Sequence, residues 1–197
     1  MADLVAPVAI AVKGDPYAEY LWQYKSAVPS LHARERAERL LRALLLLFLR
    51  DHGTCLWTAA GVGVPTQAAV VPTGRSRPGP HPLRLLAADY LDLPWAELTA
   101  RPGRYLDREL DPTRYAAAVR PGARVLLLDD TWTTGSSAQS AAMALRNAGA
   151  RTVVTVVLGR HVSKQAAEAA GLCPATMPYR PELCAVHAAP ARRARRA

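Results

Sequence analysis

One segment of the chain constrains the fold more than any other: residues 124–142, RVLLLDDTWTTGSSAQSAA. Its apolar run, Val125–Leu128, is short and continuous, which is typical of a central parallel strand that is covered on both faces. Two carboxylates, Asp129 and Asp130, follow this run, and a hydroxyl-rich loop and a helix come next. Ligands of open α/β sheets bind beyond the carboxyl ends of the strands, so we expect the two carboxylates at a ligand-binding edge.

The loop after the acid pair has the chemistry of a phosphate site. It offers the hydroxyls of Thr133, Thr134, Ser136 and Ser137, the amides around Gly135 and the positive end of the following helix. Carboxylates repel phosphate, but they accept hydrogen bonds from sugar hydroxyls and can lie near magnesium. The motif therefore predicts a phosphate at one end and a diol or a metal at the other. The structural alternative is an acid pair that ends a strand and a serine or threonine that caps a helix.

Other phosphate-binding motifs fit the chain poorly. The sequence has no Gly-x-x-x-x-Gly-Lys-Ser/Thr, so P-loop chemistry is disfavoured. Gly61 and Gly63 form a partial Gly-x-Gly, but Pro65 follows them and they precede a strand, so they do not match a dinucleotide-binding fingerprint.

The rest of the chain alternates between short apolar runs and helical patterns, which predicts an open, mostly parallel α/β sheet flanked by helices. The long second helix is expected to bury its leucine-rich half, Leu44–Leu49, on all sides. The predicted strands are Val8–Val12, Gln67–Val71, Ala96–Ala100, Val125–Leu128 and Thr152–Leu158, and the predicted helices are Pro16–Lys25, His32–His52, Pro82–Tyr90, Ser137–Ala148 and Ser163–Ala170.

Length and composition favour one domain over residues 1–190, with 191–197 as a basic disordered tail. The net charge of +9 suits polyanionic small molecules as well as nucleic acid. Cys55, Cys173 and Cys184 show no CxxC spacing, so we expect neither a zinc site nor disulfides, and a cytoplasmic location. No signal peptide is visible, and the apolar run Leu40–Leu49 is too short to span a membrane.

A family resemblance is carried by Val125–Ser137, which resembles the phosphoribosyl pyrophosphate (PRPP) motif of type I phosphoribosyltransferases. Trp132 replaces the usual aliphatic residue, but the ComF-like branch often has a tyrosine there. Ala69–Gly79, His81–Ala87 and Tyr20–Lys25 resemble further ComF-like segments. The similarity covers roughly residues 17 to 160, and the four-cysteine zinc module that ComF-like chains often carry has no counterpart.

The resemblance implies a core at about 64–160 and a small hood built from 1–60 and 160–190. It implies a Mg²⁺-dependent transferase in which a nitrogen nucleophile, such as a nucleobase or an amine, displaces pyrophosphate from PRPP. Asp129 and Asp130 would bind the ribose hydroxyls, with Mg²⁺ held near them through PRPP and no protein metal ligand assigned. The 5′-phosphate would bind Thr131, Trp132, Thr133, Thr134, Gly135, Ser136 and Ser137, and the pyrophosphate would bind Thr73, Gly74, Arg75 and Arg77.

The segment Arg101–Gly122 is too long for a simple connection in a compact domain, so we expect a functional or mobile loop. In the family that it resembles, this segment is a catalytic lid that excludes water. Arg104 and Arg108 are the arginines assigned to catalysis, although Arg101 and Arg114 lie in the same segment.

Two other functions remain open at this stage. A ComF-like protein on the same fold would sense PRPP and regulate transcription, or handle nucleic acid during DNA uptake. A different nucleotide-binding α/β domain is the third interpretation. The expected partners are PRPP and an unidentified acceptor, with no membrane. Nucleic acid is an open but not favoured partner, and a homodimer is compatible with the family.

Overall fold

The structure, a computed structural model, describes residues 1–73, 79–103 and 109–170. The strands are β1 (Leu4–Val12), β2 (Gln67–Val70), β3 (Glu97–Ala100), β4 (Tyr115–Ala118), β5 (Arg124–Trp132) and β6 (Thr152–Val162). The helices are α1 (Pro16–Gln23), α2 (Leu31–Ala59), α3 (Pro82–Ala88), α4 (Ser136–Asn147) and α5 (Lys164–Ala169), with a 3₁₀ turn at Pro112–Arg114.

Four strands form one sheet in the order β1-β6-β5-β2, and every pairing in it is parallel. The predicted class, an open parallel α/β sheet flanked by helices, is confirmed. The edge strand β1 belongs to this sheet through its pairing with β6. The sheet therefore includes residues 4–12, which the sequence analysis placed in the hood.

Side chains alternate along each strand and bury two separate cores, one on each face of the sheet. The first core receives Leu126 and Leu128 of β5 and packs against α1, α2 and α3. The second core receives Val125 and Leu127 and packs against α4 and the β3–β4 hairpin. The two sides of β5 are thus both covered, as its continuous apolar run predicts.

The helix α2 is longer than predicted, because it continues past His52 to Ala59. Its leucine-rich half is not buried on all sides, and that expectation was wrong. Buried residues recur every three or four positions and form one stripe, while the neighbouring leucines are half-buried. The stripe consists of Ala37, Leu41, Leu45, Phe48, His52, Gly53 and Leu56. No helix in the described ranges is long and apolar enough to span a membrane.

The acid pair lies inside β5 and not after its end, which corrects the predicted boundary at Leu128. The ladder with β6 continues to Trp132, since backbone pairing is available whatever the side chains are. The loop is therefore shorter than predicted, and α4 begins at Ser136.

The segment 101–122 is also more regular than predicted. It contains the 3₁₀ turn and β4, which pairs antiparallel with β3 to form a hairpin. This hairpin is separate from the four-stranded sheet and joins it through a bridge between Ala68 and Trp95. The buried ring of Tyr115 packs in the second core and holds β4 there. The alanine-rich sequence of β4 does not predict this tertiary contact.

Candidate functional site

The topology leaves a crevice between the carboxyl ends of β2 and β5. The chain leaving β2 reaches α3 on the first-core face, whereas the chain leaving β5 turns to α4 on the second-core face. Connections that depart to opposite faces open a gap at the sheet edge, which is where ligands of open α/β sheets bind. Thr73 lies on one side of this crevice, and the acid pair and the turn before α4 lie on the other.

Asp130 is the anchored member of the acid pair. It is only 8% exposed, and its Oδ2 accepts hydrogen bonds from the Tyr24 hydroxyl at 2.8 Å and the Lys25 ammonium at 2.9 Å. Both partners come from the turn that follows α1. A buried, charge-assisted network of this kind fixes the orientation of the carboxylate.

The two carboxylates have opposite protonation behaviour. Burial and then the charge of Asp130 raise the pKa of Asp129 to about 7, although its Oδ1 accepts from the Asp130 amide at 2.9 Å. Burial opposes ionisation of Asp130 too, but the charge of Lys25 and the hydrogen bonds from Lys25, Tyr24 and Thr131 hold its pKa below the usual range. Near neutral pH, Asp130 is therefore expected to be ionised, and Asp129 to be divided between its protonated and ionised forms.

The turn between β5 and α4 is built around Gly135. This residue is the N-cap of α4 and has φ +82°, a left-handed conformation that glycine adopts without strain. The indole of Trp132 packs directly over it, since a Cβ at Gly135 would lie 2.0 Å from the Trp132 ring. Glycine is therefore required at this position both by the backbone and by the close approach of the indole.

The hydroxyls predicted for phosphate binding do not all face the same place. Thr133 and Thr134 are exposed in the turn, and the Oγ1 of Thr134 lies 3.2 Å from the Oγ of Ser136. Ser137 instead interacts with the phenol of Tyr115, whose pKa is raised chiefly by burial. The cap residue of α4, Gly135, has no side chain that could accept from the first-turn amides, and the Ser136 N–H lies 3.5 Å from the Thr134 Oγ1.

Trp132 and Thr131 lie in the last part of β5 and not in the turn. The Trp132 side chain packs against the second core, so its structural role is filling space beside the strands. Thr131 interacts with Asp130.

The opposite side of the crevice opens into a cleft of about 700 Å³ between the end of β2 and β3. Thr73, Arg84 and Arg101 line it, and the Arg84 guanidinium lies 5.1 Å from the centroid of the Trp95 ring. The predicted pyrophosphate-binding residues Gly74, Arg75 and Arg77 and the predicted lid arginines Arg104 and Arg108 lie outside the described residues.

Three residues of the site had no assigned role in the sequence. Tyr24 and Lys25 were part of a segment noted only for its resemblance, and His161 was not assigned. Burial and then Lys25 lower the pKa of His161, while Asp130 opposes this shift, so the imidazole lies within the field of the same cluster. The adjacent Tyr24 and Lys25 were the feature in the sequence that could have indicated these contacts. Lys25 and Asp130 are 105 positions apart, however, so the sequence pattern does not show that they meet.

The described residues contain no group of three or more histidine, cysteine or acidic side chains that could hold a metal ion. The acid pair offers at most two carboxylates, and one of them already binds Lys25. A divalent cation that binds here would need most of its ligands from phosphate oxygens and water, the usual arrangement for magnesium.

Comparisons with known proteins identify no family for this chain. No family model matches it, and no curated protein matches it. Among solved structures, it is similar to a purine phosphoribosyltransferase from Pyrococcus horikoshii Ot3, with a TM-score of 0.35 and 12% sequence identity over 62% of this chain and 87% of that chain. A similarity of this size assigns neither a family nor an activity.

Proposed function

We propose that the protein is a Mg²⁺-dependent phosphoribosyltransferase that transfers the phosphoribosyl group of PRPP to a nitrogen nucleophile. One observation carries the proposal: an acid pair at the end of β5, with Asp130 buried and held by hydrogen bonds and Asp129 half-buried, stands a short turn before the N-terminus of α4. The first feature suits ribose hydroxyls, and the second suits a phosphate a few residues away.

Asp130 would accept hydrogen bonds from the ribose with a carboxylate that Tyr24 and Lys25 hold in place. Asp129 would add negative charge next to C1, where positive charge develops as the pyrophosphate departs. Because its pKa is raised to about 7, this charge is progressively lost in the free protein as pH falls below neutral. A bound cation or ribose hydroxyl would favour the ionised form further.

The turn around Gly135 would hold the 5′-phosphate through backbone amides and the hydroxyls of Thr133 and Thr134. Fixing the phosphate and the diol at two separate points orients C1 toward the incoming nitrogen. Mg²⁺ bound to PRPP would neutralise the pyrophosphate as it leaves.

The transfer itself balances without any further reactant. The nitrogen lone pair forms the bond to C1, the C1–oxygen bond breaks, and its electrons leave with pyrophosphate. The nitrogen then releases a proton to the solvent or to a neighbouring base. Arg75, Arg77, Arg104 and Arg108 are proposed to stabilise the leaving group, as their positions in the sequence imply.

The test is calorimetric binding of PRPP, with and without Mg²⁺, to the wild type and to Asp129→Asn with Asp130→Asn. We expect Mg²⁺-dependent binding to the wild type and a loss of roughly a hundredfold or more in the double variant, because two charge-assisted contacts are removed. Asp92→Asn, an exposed carboxylate, is the matched control and should bind normally.

Unchanged affinity in the double variant would contradict the proposed site. Release of pyrophosphate in the presence of an acceptor distinguishes a transferase from a protein that only senses PRPP. Binding that is lost in the double variant, without release for any nitrogen acceptor, would favour the sensor.

A further inference from the structure

A second cavity adjoins the acid pair on the first-core face of the sheet. It has a volume of about 360 Å³ and lies where the turn after α1 meets α2 and α3. Its lining residues come from this turn, from α2 and from the start of α3.

Tyr24 and Lys25 place this cavity beside the proposed ribose site. Both line the cavity, and both donate hydrogen bonds to Asp130. Pro82, which also lines the cavity, begins α3 after the segment that leaves the carboxyl end of β2. A molecule in the cavity would therefore lie next to the crevice that contains the acid pair.

The cavity has an excess of positive charge, with three cations lining it and Glu38 as the one carboxylate among the described lining residues. Lys25 already binds Asp130, and Arg42 lies 3.5 Å from the largely exposed Asp89. Arg34 differs from these two. Among the described residues, its Nε is a buried atom with no hydrogen-bond partner.

The position of Arg34 in the helix is also unfavourable without an anion. It lies in the first turn of α2, a helix of 29 residues, where the helix dipole disfavours a positive charge. A buried donor without an acceptor is destabilising, because it has lost its hydrogen bonds to water without replacement. A carboxylate or phosphate at Arg34 would relieve both costs at once.

We propose that this cavity binds the nitrogen nucleophile of the proposed transfer and selects one that carries a carboxylate or a phosphate. The anion would bind Arg34, an N–H would donate to Glu38 one turn further along α2, and the body would pack against Pro82, Leu85 and Leu86. The inference rests on the proposed function, and it adds the class of acceptor. In the reaction, the acceptor nitrogen bonds to C1 of PRPP, pyrophosphate leaves with the bonding electrons, and the nitrogen loses a proton.

The probes are matched pairs of small nitrogen compounds that differ only by a carboxylate: orotate and uracil, nicotinate and nicotinamide, anthranilate and aniline. Binding to the full chain is measured by calorimetry, and inorganic phosphate is titrated separately as the phosphate probe. We expect at least one anion to bind roughly tenfold or more tightly than its neutral counterpart. Arg34→Gln should weaken that binding by roughly ten- to a hundredfold.

Two further variants distinguish the loss of the Arg34 charge from a general disruption of α2. Arg39→Gln, on the same helix with a side chain that is 67% exposed, should leave binding unchanged. Arg34→Lys should keep part of the affinity, because it retains the charge but loses the two-pronged geometry. Thermal unfolding of each variant confirms that the helix is intact.

The inference is overturned if neutral members bind as well as anions, if no anion binds, or if Arg34→Gln and Arg39→Gln behave alike. PRPP binding, measured on the same samples, keeps the two proposals apart. Normal PRPP binding without anion selection would remove this inference alone, whereas anion binding at Arg34 without PRPP binding would remove the proposed transferase alone.

Discussion

Asp129 makes the stability of the protein depend on pH. Its pKa is raised to about 7 by burial and by Asp130, whereas in the unfolded chain it would ionise near pH 4. Between these values the native state holds a proton that the unfolded state has lost, so this group lowers the free energy of unfolding as pH rises through the window. Asp130, whose pKa is lowered, contributes stability that is lost only at more acidic pH.

We expect Asp129→Asn to be more stable than the wild type at pH 8 by a few kcal/mol, and nearly equal to it at pH 4. The amide keeps an acceptor for the Asp130 N–H, so little else changes. Urea unfolding at the two pH values measures the difference. If the variant and the wild type had the same free energy of unfolding at both pH values, Asp129 would ionise normally.

At the scale of elements, α1 is held against the sheet by a glycine. A Cβ at Gly159 of β6 would lie 2.3 Å from the Cδ1 of Leu21, which is 1% exposed, and 3.2 Å from the Cβ of Ala11. Gly159→Ala should push α1 outward and destabilise the fold by about 1–3 kcal/mol. Since Tyr24 and Lys25 follow α1 directly, the same change should also loosen Asp130.

A double-mutant cycle with Leu21→Ala tests this packing. If steric contact is the cause, the cost of Gly159→Ala should largely disappear in the Leu21→Ala background. Equal costs in both backgrounds, measured by urea unfolding, would point to another origin.

The elements that could be predicted are those with strong local patterns. The apolar runs of β5 and β6 and the helix α4 were located within a few residues, apart from the extension of both strands at their carboxyl ends. The strand β4 was missed because three of its four residues are alanine and its stability depends on Tyr115 packing in the second core.

The same distinction applies to the site. The acid pair and the turn at Gly135 are contiguous in sequence, so their proximity could be predicted. Tyr24 and Lys25, which hold Asp130, are more than a hundred positions away from it, and the packing of α1 on α2, β1 and β6 brings them there. Arg34 was missed for the same reason, because its role depends on a cavity formed by three helical segments.

For the whole molecule, the net charge of +9 should steer anionic ligands toward the protein. We expect the association rate of Mg²⁺-bound PRPP to fall by roughly tenfold between about 0.02 and 0.5 M NaCl, since salt screens this attraction. Stopped-flow binding measures the rate, with sucrose at matched viscosity as the control. A rate that is independent of salt would mean that the excess charge lies away from the binding path.

The pairing of β1 with β6 has a consequence for how the chain folds as it is made. Leu4 lies beside Val154, so β1 pairs with a strand that is synthesised only after most of the described residues. On the ribosome, β1 would leave the exit tunnel long before β6 exists to receive it. Such long-range pairing slows folding, and the apolar β1 lacks its neighbour while the residues between the two strands are being made.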